Sequence, residues 1–532
     1  MIKLRWLLSV CLIVVSLGAC SSGNPSTQAE RKIVYGLTLS VSGIDPHINQ
    51  NSELGIVLRQ VYDTLVYRDP TTKAIVAGLA EAWNTSPDGL IYTFNLRQGV
   101  LFHDGTPFNA RAVAANLDRI TDPELASQRA RALLGTYTRY EIVDDYTIRL
   151  ILSAPYSPLL DALAQVYLGI ASPTALTRFA DDPLRYQFYQ VGTGPFKFIE
   201  YVPEDRILIQ RNPDYRWGPA FYSALPENAV QTVEFRFFRD PATRAAALTN
   251  GDAHIMGELL PLNARALSGN SEVQLMPTNI AGQPLQFYFN TRLSPTDDVR
   301  VRQALLYASN RVAIADTVYQ GFSPIAWGPL SAASLYYNPG VINAFAFDTA
   351  QAQALLTSAG YADSNADGIL ERDGVPLSIK LIQPPWGLVP EVAQLLQDQW
   401  RSIGIQADIT PVPGFTALLD AVNSGEWNMV AFDTFGLDPA LLNERFTSTG
   451  SANWTGYSSP ELDEILTQAR QTGVDAERQA LYGQAQSLIM QQALILPIRD
   501  YVNINAHVAQ VQGLSFDPYG WFPLLYGVSY SG

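Results

Sequence analysis

The sequence predicts a mixed fold of the α/β or α+β class. Stretches with the period of a half-buried strand alternate along the chain with stretches of helical period. The chain has 532 residues, of which 47% are hydrophobic and 16% are charged, so it can bury a large core. Domains usually hold roughly 100 to 200 residues, so we expect several domains. We find no internal repeat typical of a solenoid or a propeller.

The first half of the chain contains a strand, a turn, a helix and a second strand. Apolar residues alternate in Ile91–Arg97, which predicts a half-buried strand. Asp104-Gly105 favours a tight turn, because glycine tolerates positive φ angles. Asn109 is a good N-cap for a helix over Ala110–Ile120, and Thr147–Leu152 again alternates like a strand. These signals predict that helices and strands share one body.

The second half continues the same alternation. Val233–Phe237 predicts an alternating strand, and the alanine-rich stretch Pro241–Thr249 predicts a helix. Glu391–Ile403 has apolar residues at helical spacing, Gly404 ends that helix, and Ile405–Ile409 begins a strand. This order is typical of an α/β unit.

Charge and cysteine content exclude two classes of protein. The chain carries a formal charge of −15, whereas proteins that bind a phosphate backbone need a cationic face. We therefore expect no nucleic-acid partner. Four histidines and two cysteines are too few for a cysteine-rich zinc module or a disulfide scaffold.

The amino terminus predicts an exported lipoprotein. Lys3 and Arg5 precede a short apolar run, and Leu17–Cys20 closes that run with small residues. This ending resembles the lipobox of bacterial lipoproteins, which implies a signal peptide over 1–19 and a lipid on Cys20. Residues 20–31 read as a flexible tether. An uncleaved membrane anchor is the alternative, but it needs about 20 apolar residues. We expect an extracytoplasmic protein anchored to the cell membrane.

No catalytic signature is present. The sequence has no Gly-x-Ser-x-Gly elbow, phosphate-binding loop or His-Glu-x-x-His pair. His103 and Asp104 are the best acid and base candidates, but neighbours in a strand point to opposite faces. Two glycosidase carboxylates among the 50 acidic residues stay possible from the sequence.

One loop resembles a calcium-binding loop. Asp363, Asn365 and Asp367 place side-chain oxygens at alternate positions, Gly368 follows, and Ile369 offers a backbone carbonyl. The position of the closing glutamate is Gly374, although Glu371 or Asp373 are possible substitutes. A polar turn without an ion explains the same residues. We expect no cofactor, and a structural calcium ion is the open alternative.

Seven ordered blocks resemble one family, the extracytoplasmic solute-binding proteins of peptide- and nickel-type ABC importers. The strongest block is Tyr92–Ala110, which follows the family signature almost position by position. The others, whose order and spacing make the resemblance specific, are Gly192–Phe196, Arg211–Tyr215, Asn290 with Val299–Ala304, Ala354–Tyr361, Asp438-Pro439 and Asn453–Asp463.

The resemblance implies two lobes that are joined by a hinge, with an extra domain inserted in the first lobe. The expected segments are 32–65, 190–285 and 500–532 for lobe I, 66–189 for the inserted domain, and 286–499 for lobe II. A periplasmic-binding-protein-like fold of this kind encloses a solute between its lobes.

The resemblance also implies where a solute binds. Peptide-binding relatives hold the ligand amine with an Asp three positions before an Asp/Glu-Pro pair, where this chain has Phe435. Dipeptide binders hold the carboxylate with an Arg at the position of Pro384. If the alignment slips by two residues, Asp433 becomes the amine partner. Trp386, Phe435 and Trp327 instead suggest an aromatic-lined cleft, although packing in the core is the alternative for each Trp.

The expected function is capture of a peptide-type solute for an importer permease, without a chemical reaction. Ser40 completes the predicted ligand-binding set of Trp386, Phe435, Asp433 and Trp327. Both ends of a zwitterionic dipeptide lack a charged partner, so a longer peptide or a non-peptide solute such as an oligosaccharide is expected. We expect a monomer. The alternative function is a surface-anchored hydrolase that acts on glycans.

Overall fold

The computed structural model describes residues 31–39, 43–48, 52–222 and 224–532. The predicted signal peptide, Cys20 and Ser40 lie outside the described residues.

The strands of the described chain fall into groups that belong to different sheets. They are β1 Lys32–Leu37, β2 Val66–Arg68, β3 Ile75–Ala77, β4 Ala80–Thr85, β5 Ile91–Leu96, β6 Tyr137–Asp144, β7 Thr147–Leu152, β8 Phe196–Val202, β9 Arg206–Arg211, β10 Thr232–Phe237, β11 Ile255–Met256, β12 Val273–Asn279, β13 Gly282–Phe289, β14 Glu371–Arg372, β15 Val375–Pro376, β16 Ser378–Gln383, β17 Gln406–Pro411, β18 Met429–Phe435, β19 Ile495–Arg499, β20 Val502–Val508, β21 Val511–Gln512 and β22 Ser529–Tyr530.

Helices connect these strands throughout the chain. They are α1 Ser52–Val61, α2 Ala110–Thr121, α3 Arg129–Leu133, α4 Leu159–Ala162, α5 Pro173–Arg178, α6 Pro241–Thr249, α7 Pro261–Leu267, α8 Val299–Tyr307, α9 Arg311–Val318, α10 Thr349–Ser358, α11 Val389–Arg401, α12 Phe415–Ser424, α13 Leu441–Phe446, α14 Pro460–Gln471 and α15 Asp475–Gln491.

Strands from both ends of the chain form a seven-stranded sheet in the order β12-β20-β11-β1-β10-β9-β8. The central strands β1 and β10 run parallel, whereas β8, β9 and β10 are antiparallel. A separate four-stranded antiparallel sheet, β4-β5-β7-β6, is built entirely from the region predicted as an inserted domain.

The middle of the chain forms a five-stranded sheet in the order β17-β16-β18-β13-β19. Here β16 pairs in parallel with both β17 and β18, and α11 connects β16 to β17. This connection confirms the α/β unit that the sequence predicts. The five-stranded sheet has its own hydrophobic core, distinct from the core that the other two sheets share.

The described chain passes between the seven-stranded and five-stranded sheets at two places. Strand β12 leads into β13 through residues 280–281, and β19 leads into β20 through residues 500–501. The two connections lie side by side and share a hydrogen bond of 2.9 Å, which the Ile280 amide donates to the Tyr501 carbonyl. The predicted boundary at 285 and 286 falls inside β13, a few residues after this change of sheet. The other domain bounds stay predictions.

The predicted elements in both halves are confirmed, with one difference in burial. The Asn109 side chain accepts hydrogen bonds from the first turn of α2, as the N-cap prediction requires. In β10 the expected alternation is absent, since the first four residues are all buried. Val233 and Phe235 pack in the apolar core, whereas Glu234 on the opposite face is covered through its ion pairs with Lys32 and Arg236.

The sequence blocks that carry the family resemblance contact one another as scaffold. The His103 ring Nε2 lies 2.9 Å from the Gly194 carbonyl oxygen, and the His103 amide donates to Gly192 at 2.9 Å. Gly194 in turn donates its amide proton to the Val61 carbonyl at the end of α1. A Cβ atom on Gly194 would lie only 2.6 Å from the Val61 carbonyl carbon. The glycine therefore allows two backbone segments to approach closely.

Replacing Gly194 by Ala should lower stability, because the added methyl group meets rigid backbone. We expect Gly194→Ala to lower the free energy of unfolding by about 1–3 kcal/mol, the range for overpacked sites. Gly269→Ala is the matched control, since a Cβ there has open space. Urea titration of both variants measures the difference, and equal midpoints would contradict the close approach.

Candidate functional site

A cavity of about 640 Å³ lies where the two crossing segments meet the sheets. This volume falls within the range of roughly 300–1,000 Å³ that is typical of small-molecule sites. The seven-stranded side, the five-stranded side and the loop before α11 all contribute lining residues, among them Glu258, Val502, Asn503, Phe432, Asp433, Thr434, Phe435, Arg499, Trp386 and Leu388. A molecule in this cavity would contact both sheets at once.

The structure brings three of the predicted ligand-binding residues together. Trp386, Phe435 and Asp433 all line the cavity. Trp327 is not among the lining residues, and its ring instead lies 4.3 Å from the guanidinium carbon of Arg311. Ser40 lies outside the described residues. The binding roles of these residues stay predictions.

Phe435 forms the aromatic wall between the two halves of the cavity. Its ring centroid lies 6.4 Å from those of Trp521 and Phe522, which belong to the carboxyl-terminal segment. The guanidinium carbon of Arg129 lies 4.9 Å from the same ring. Aromatic rings therefore surround this position, while their role in binding stays a prediction. An aromatic ring at this position cannot form an ion pair with the amine of a peptide.

Asp433 is a buried carboxyl group two residues before Phe435. Burial raises its pKa, and the positive charge of Arg499 only partly opposes that rise. A buried carboxylate gains stability when a cation comes close, because the opposite charge offsets the lost hydration. Asp433 can therefore receive an ammonium group of a solute.

A second carboxyl group in the cavity, Glu258, belongs to a buried network that the sequence did not indicate. Its backbone has a φ of +49°, and the Tyr501 hydroxyl donates to its Oε1 at 3.3 Å. The Thr38 Oγ1 lies 2.5 Å from both Glu258 Oε2 and Glu53 Oε1. A hydroxyl donates one hydrogen bond only. One of the two carboxyl groups must therefore be protonated for both contacts to be hydrogen bonds.

Glu53 is the group that favours this proton. Burial raises the pKa of Glu53 to about 7, and the negative charge of Glu258 raises it as well. The network therefore places Glu53, a carboxyl group with a raised pKa, beside Glu258 in the cavity lining.

Arginine side chains in the cavity were also missed by the sequence analysis. Arg499 ends the buried strand β19, between the rings of Tyr319 and Tyr501 at 4.2 and 4.4 Å. One signal was available, because Arg499-Asp500 interrupts an otherwise apolar run that begins at Ile495. A charged pair at the end of a buried strand is rare without a function or a partner.

His103 and Asp104 do not form a catalytic pair. Burial lowers the pKa of His103 to about 4, so the ring is neutral, and its Nε2 faces the Gly194 carbonyl. Asp104 accepts hydrogen bonds from the Thr106 amide at 2.9 Å and the Ser172 hydroxyl at 2.6 Å. Both residues therefore stabilise the turn and its contacts with Gly194 and Ser172.

The predicted calcium loop brings three carboxylates together at the surface. Oxygens of Asp363, Asp367 and Glu371 lie within 4.8 Å of one another. The Asp363 carboxylate accepts a hydrogen bond from the Gly368 amide at 3.0 Å, as a polar turn without an ion also requires. Calcium on this loop, with Asn365 and the Ile369 carbonyl as further ligands, stays the open alternative.

A search of the described residues finds no helix with the length and apolar character needed to cross a membrane.

Comparison with known proteins identifies relatives of this chain. The family model described as bacterial extracellular solute-binding proteins, family 5 Middle, matches residues 74–455. The glutathione-binding protein GsiB of Escherichia coli (strain K12) is 27% identical over 505 residues, which cover 92% of this chain and 93% of that protein.

Two solved structures show the same fold. NikA from Brucella suis in complex with Fe(III)-EDTA has a TM-score of 0.83 and 24% identity, covering 94% of this chain and all of that one. A dipeptide-binding protein from Pseudoalteromonas sp. SM9913 in complex with Met-Leu has a TM-score of 0.77 and 23% identity, with 94% and 100% coverage. These similarities confirm the predicted two-lobed fold and the family resemblance.

The raised pKa of Glu53 predicts a pH-dependent stability. The folded protein holds this proton more tightly than the unfolded chain, whose Glu pKa is 4.5. The stabilisation is complete below about pH 4.5 and is lost as the pH rises through about 7. Relative to wild type, the free energy of unfolding of Glu53→Gln should therefore increase between pH 5 and 8, by up to about 3 kcal/mol.

Urea unfolding of both proteins at several pH values measures this difference. Other raised carboxyl groups, such as Asp500 and Asp517, are present in both proteins and cancel in the comparison. A difference that does not change with pH would contradict the shifted pKa.

Proposed function

Because the chain belongs to family 5 of the bacterial extracellular solute-binding proteins, we propose that it captures a peptide-type solute by hinge closure and delivers it to an importer permease. Membership makes it the substrate-binding protein of an ABC importer of the peptide, nickel or glutathione type. The observation that carries the proposal is the cavity, which is lined from both sheets at the two crossing segments.

Hinge closure follows from this geometry. A solute that contacts both lobes stabilises the closed state by the difference between its affinities for the closed and open states. Rotation about residues 280–281 and 500–501 would move the lobes with few backbone changes. We propose that lobe I comprises residues 32–65, 190–285 and 500–532, the inserted domain residues 66–189, and lobe II residues 286–499. The chain changes sheet at residues 280–281, a few residues before the proposed boundary between 285 and 286.

A peptide-type solute longer than a dipeptide fits the lining residues. The relative GsiB is named for binding glutathione, a tripeptide. By the resemblance, Phe435 and Pro384 stand at the positions that hold the charged ends of dipeptides in relatives, so a solute here places its charged groups on other lining residues such as Asp433. Trp386 and Phe435 provide apolar surface. An oligosaccharide is the alternative solute, since aromatic rings also stack on sugars.

We also propose that the protein binds its solute without catalysis and acts as a monomer. Family members are binding proteins, and the His103-Asp104 pair is occupied with scaffold hydrogen bonds. A glycan hydrolase is not favoured. Lipid on Cys20, after removal of residues 1–19, would hold the protein at the outer side of the cell membrane.

The bound solute tests the proposed function directly. Native mass spectrometry of protein purified without refolding should reveal a peptide-sized mass. Calorimetry should then show that peptides longer than two residues bind. Simple dipeptides should bind more weakly, with dissociation constants above the micromolar range. Submicromolar binding of dipeptides would reject the preference for length, and turnover of a glycan would reject the function.

Two tryptophan variants separate the cavity from the predicted residue outside it. We expect Trp386→Ala to weaken binding of the co-purified solute by roughly tenfold or more, as loss of a central aromatic contact does. Trp327→Ala should leave the affinity unchanged, because that ring packs on Arg311. Equal losses in both variants would contradict this assignment.

The lipid anchor predicts a change of cell fraction. Cells that express the wild-type protein should incorporate labelled palmitate into it and retain it with membranes. Cys20→Ser should take up no label and appear in the soluble fraction, because the acylated sulfur is absent. Label on the Cys20→Ser protein would place the lipid elsewhere.

A further inference from the structure

Three arginines in the cavity form no direct ion pair with a carboxylate of the described residues, although the charge of Asp433 acts on Arg499 and Arg445. Arg129 begins α3, Arg445 lies in α13, and Arg499 ends β19, so they come from separate parts of the chain. Their hydrogen bonds go to neutral side chains, namely Gln165, Thr434 and Ser323, each at 3.2 Å, and for Arg499 also Tyr319. Each also has one buried nitrogen with no hydrogen-bond partner, namely Arg129 Nε, Arg445 Nη1 and Arg499 Nε.

The fourth arginine that lines the cavity, Arg244, has a structural role. Arg244 donates to the backbone carbonyls of Phe238 at 3.0 Å and Glu258 at 2.8 Å, and also reaches Arg239 at 3.2 Å. Its guanidinium group holds loops in place. The other three have no comparable set of acceptors.

Aromatic rings hold the three guanidinium groups. Arg445 lies 4.7 Å from the Trp454 ring and 5.0 Å from the Phe432 ring. Arg129 lies between Phe435 and Tyr167, and Arg499 between Tyr319 and Tyr501. A ring contacts the flat face of a guanidinium group, whereas carboxylates bind at its edge through N–H groups. The arrangement therefore fixes each cation without neutralising it.

The cavity has the opposite charge to the protein. Four arginines and two carboxyl groups line it, for a formal charge of +2, whereas the whole chain carries −15. Arg499 is buried and Arg129 and Arg445 are partly buried, and an anionic ligand offsets the hydration that these cations lose. An aromatic or basic cation would instead be repelled. The charge distribution thus selects for the sign of the solute.

We propose that the solute is an anion with at least two acidic groups, which bind Arg129, Arg445 and Arg499. Glu258 already contacts Thr38, Tyr501 and Arg244, which leaves Asp433 as the lining carboxylate for one ammonium group, so the chemical class is an acidic peptide or a related amino polycarboxylate. This inference rests on the proposed function, because it specifies the solute of the same cavity.

Tripeptides of equal length and different charge test the proposal. Calorimetry compares Glu-Ala-Glu, Ala-Ala-Ala and Lys-Ala-Lys at pH 7.5 with the full-length mature protein, after any bound solute has been removed. Glu-Ala-Glu should bind at least roughly tenfold more tightly than Ala-Ala-Ala, and Lys-Ala-Lys should bind least, since buried charge pairs are worth this much or more.

Arginine variants assign the effect to the cavity. Arg445→Gln and Arg129→Gln, tested separately, should each lower the affinity for Glu-Ala-Glu by roughly tenfold or more and change that for Ala-Ala-Ala little. Arg445→Lys should restore part of the loss, because it keeps the charge without the planar fork. Arg139→Gln is the matched control, since this exposed arginine in β6 removes the same charge far from the lining residues.

The outcomes separate the two proposals. Equal binding of acidic and neutral tripeptides overturns the inference and leaves the proposed function standing. If no tripeptide binds, the peptide-type solute fails, and the solute that co-purifies decides the inference. The inference is supported if a polycarboxylate co-purifies with the Arg139→Gln variant but not with the Arg445→Gln variant. A co-purified solute without acidic groups, or no co-purified solute, overturns the inference.

Discussion

The paired crossing of the chain between two sheets is the constraint on which this structure depends. Segments 280–281 and 500–501 lie side by side and share the hydrogen bond from Ile280 to Tyr501. The five-stranded sheet has its own apolar core, distinct from the core of the other two sheets, and these two segments are where the described chain passes between the five-stranded and seven-stranded sheets. The cavity opens at their junction, so any solute there bridges both lobes. Recognition and movement are thus linked by geometry.

Charge in the cavity is organised differently from charge on the surface. Lining arginines are held by aromatic rings, and the carboxyl groups Asp433 and Glu258 are partly enclosed by the same walls. Burial strengthens each of these interactions, since water no longer screens them. The proposed preference for an anionic solute rests on this distribution of charge.

Much of the scaffold was predictable from the sequence, because it depends on local signals. The Asn109 cap, the Asp104-Gly105 turn and the α/β unit around α11 all follow from neighbours in the chain. The family blocks marked the same scaffold. The alternation of burial expected in β10 is absent, since periodicity cannot reveal that ion pairs with Lys32 and Arg236 cover Glu234.

The site was less predictable, since its residues come from distant segments. Trp386, Phe435 and Asp433 were found through the resemblance, whereas Glu258 and Arg129 carry no local signal for their place in the cavity. The account is tested most directly by small-angle X-ray scattering of the protein without its co-purified solute and with that solute restored. It predicts a smaller radius of gyration with solute, as the lobes close. Scattering curves that superimpose would contradict it.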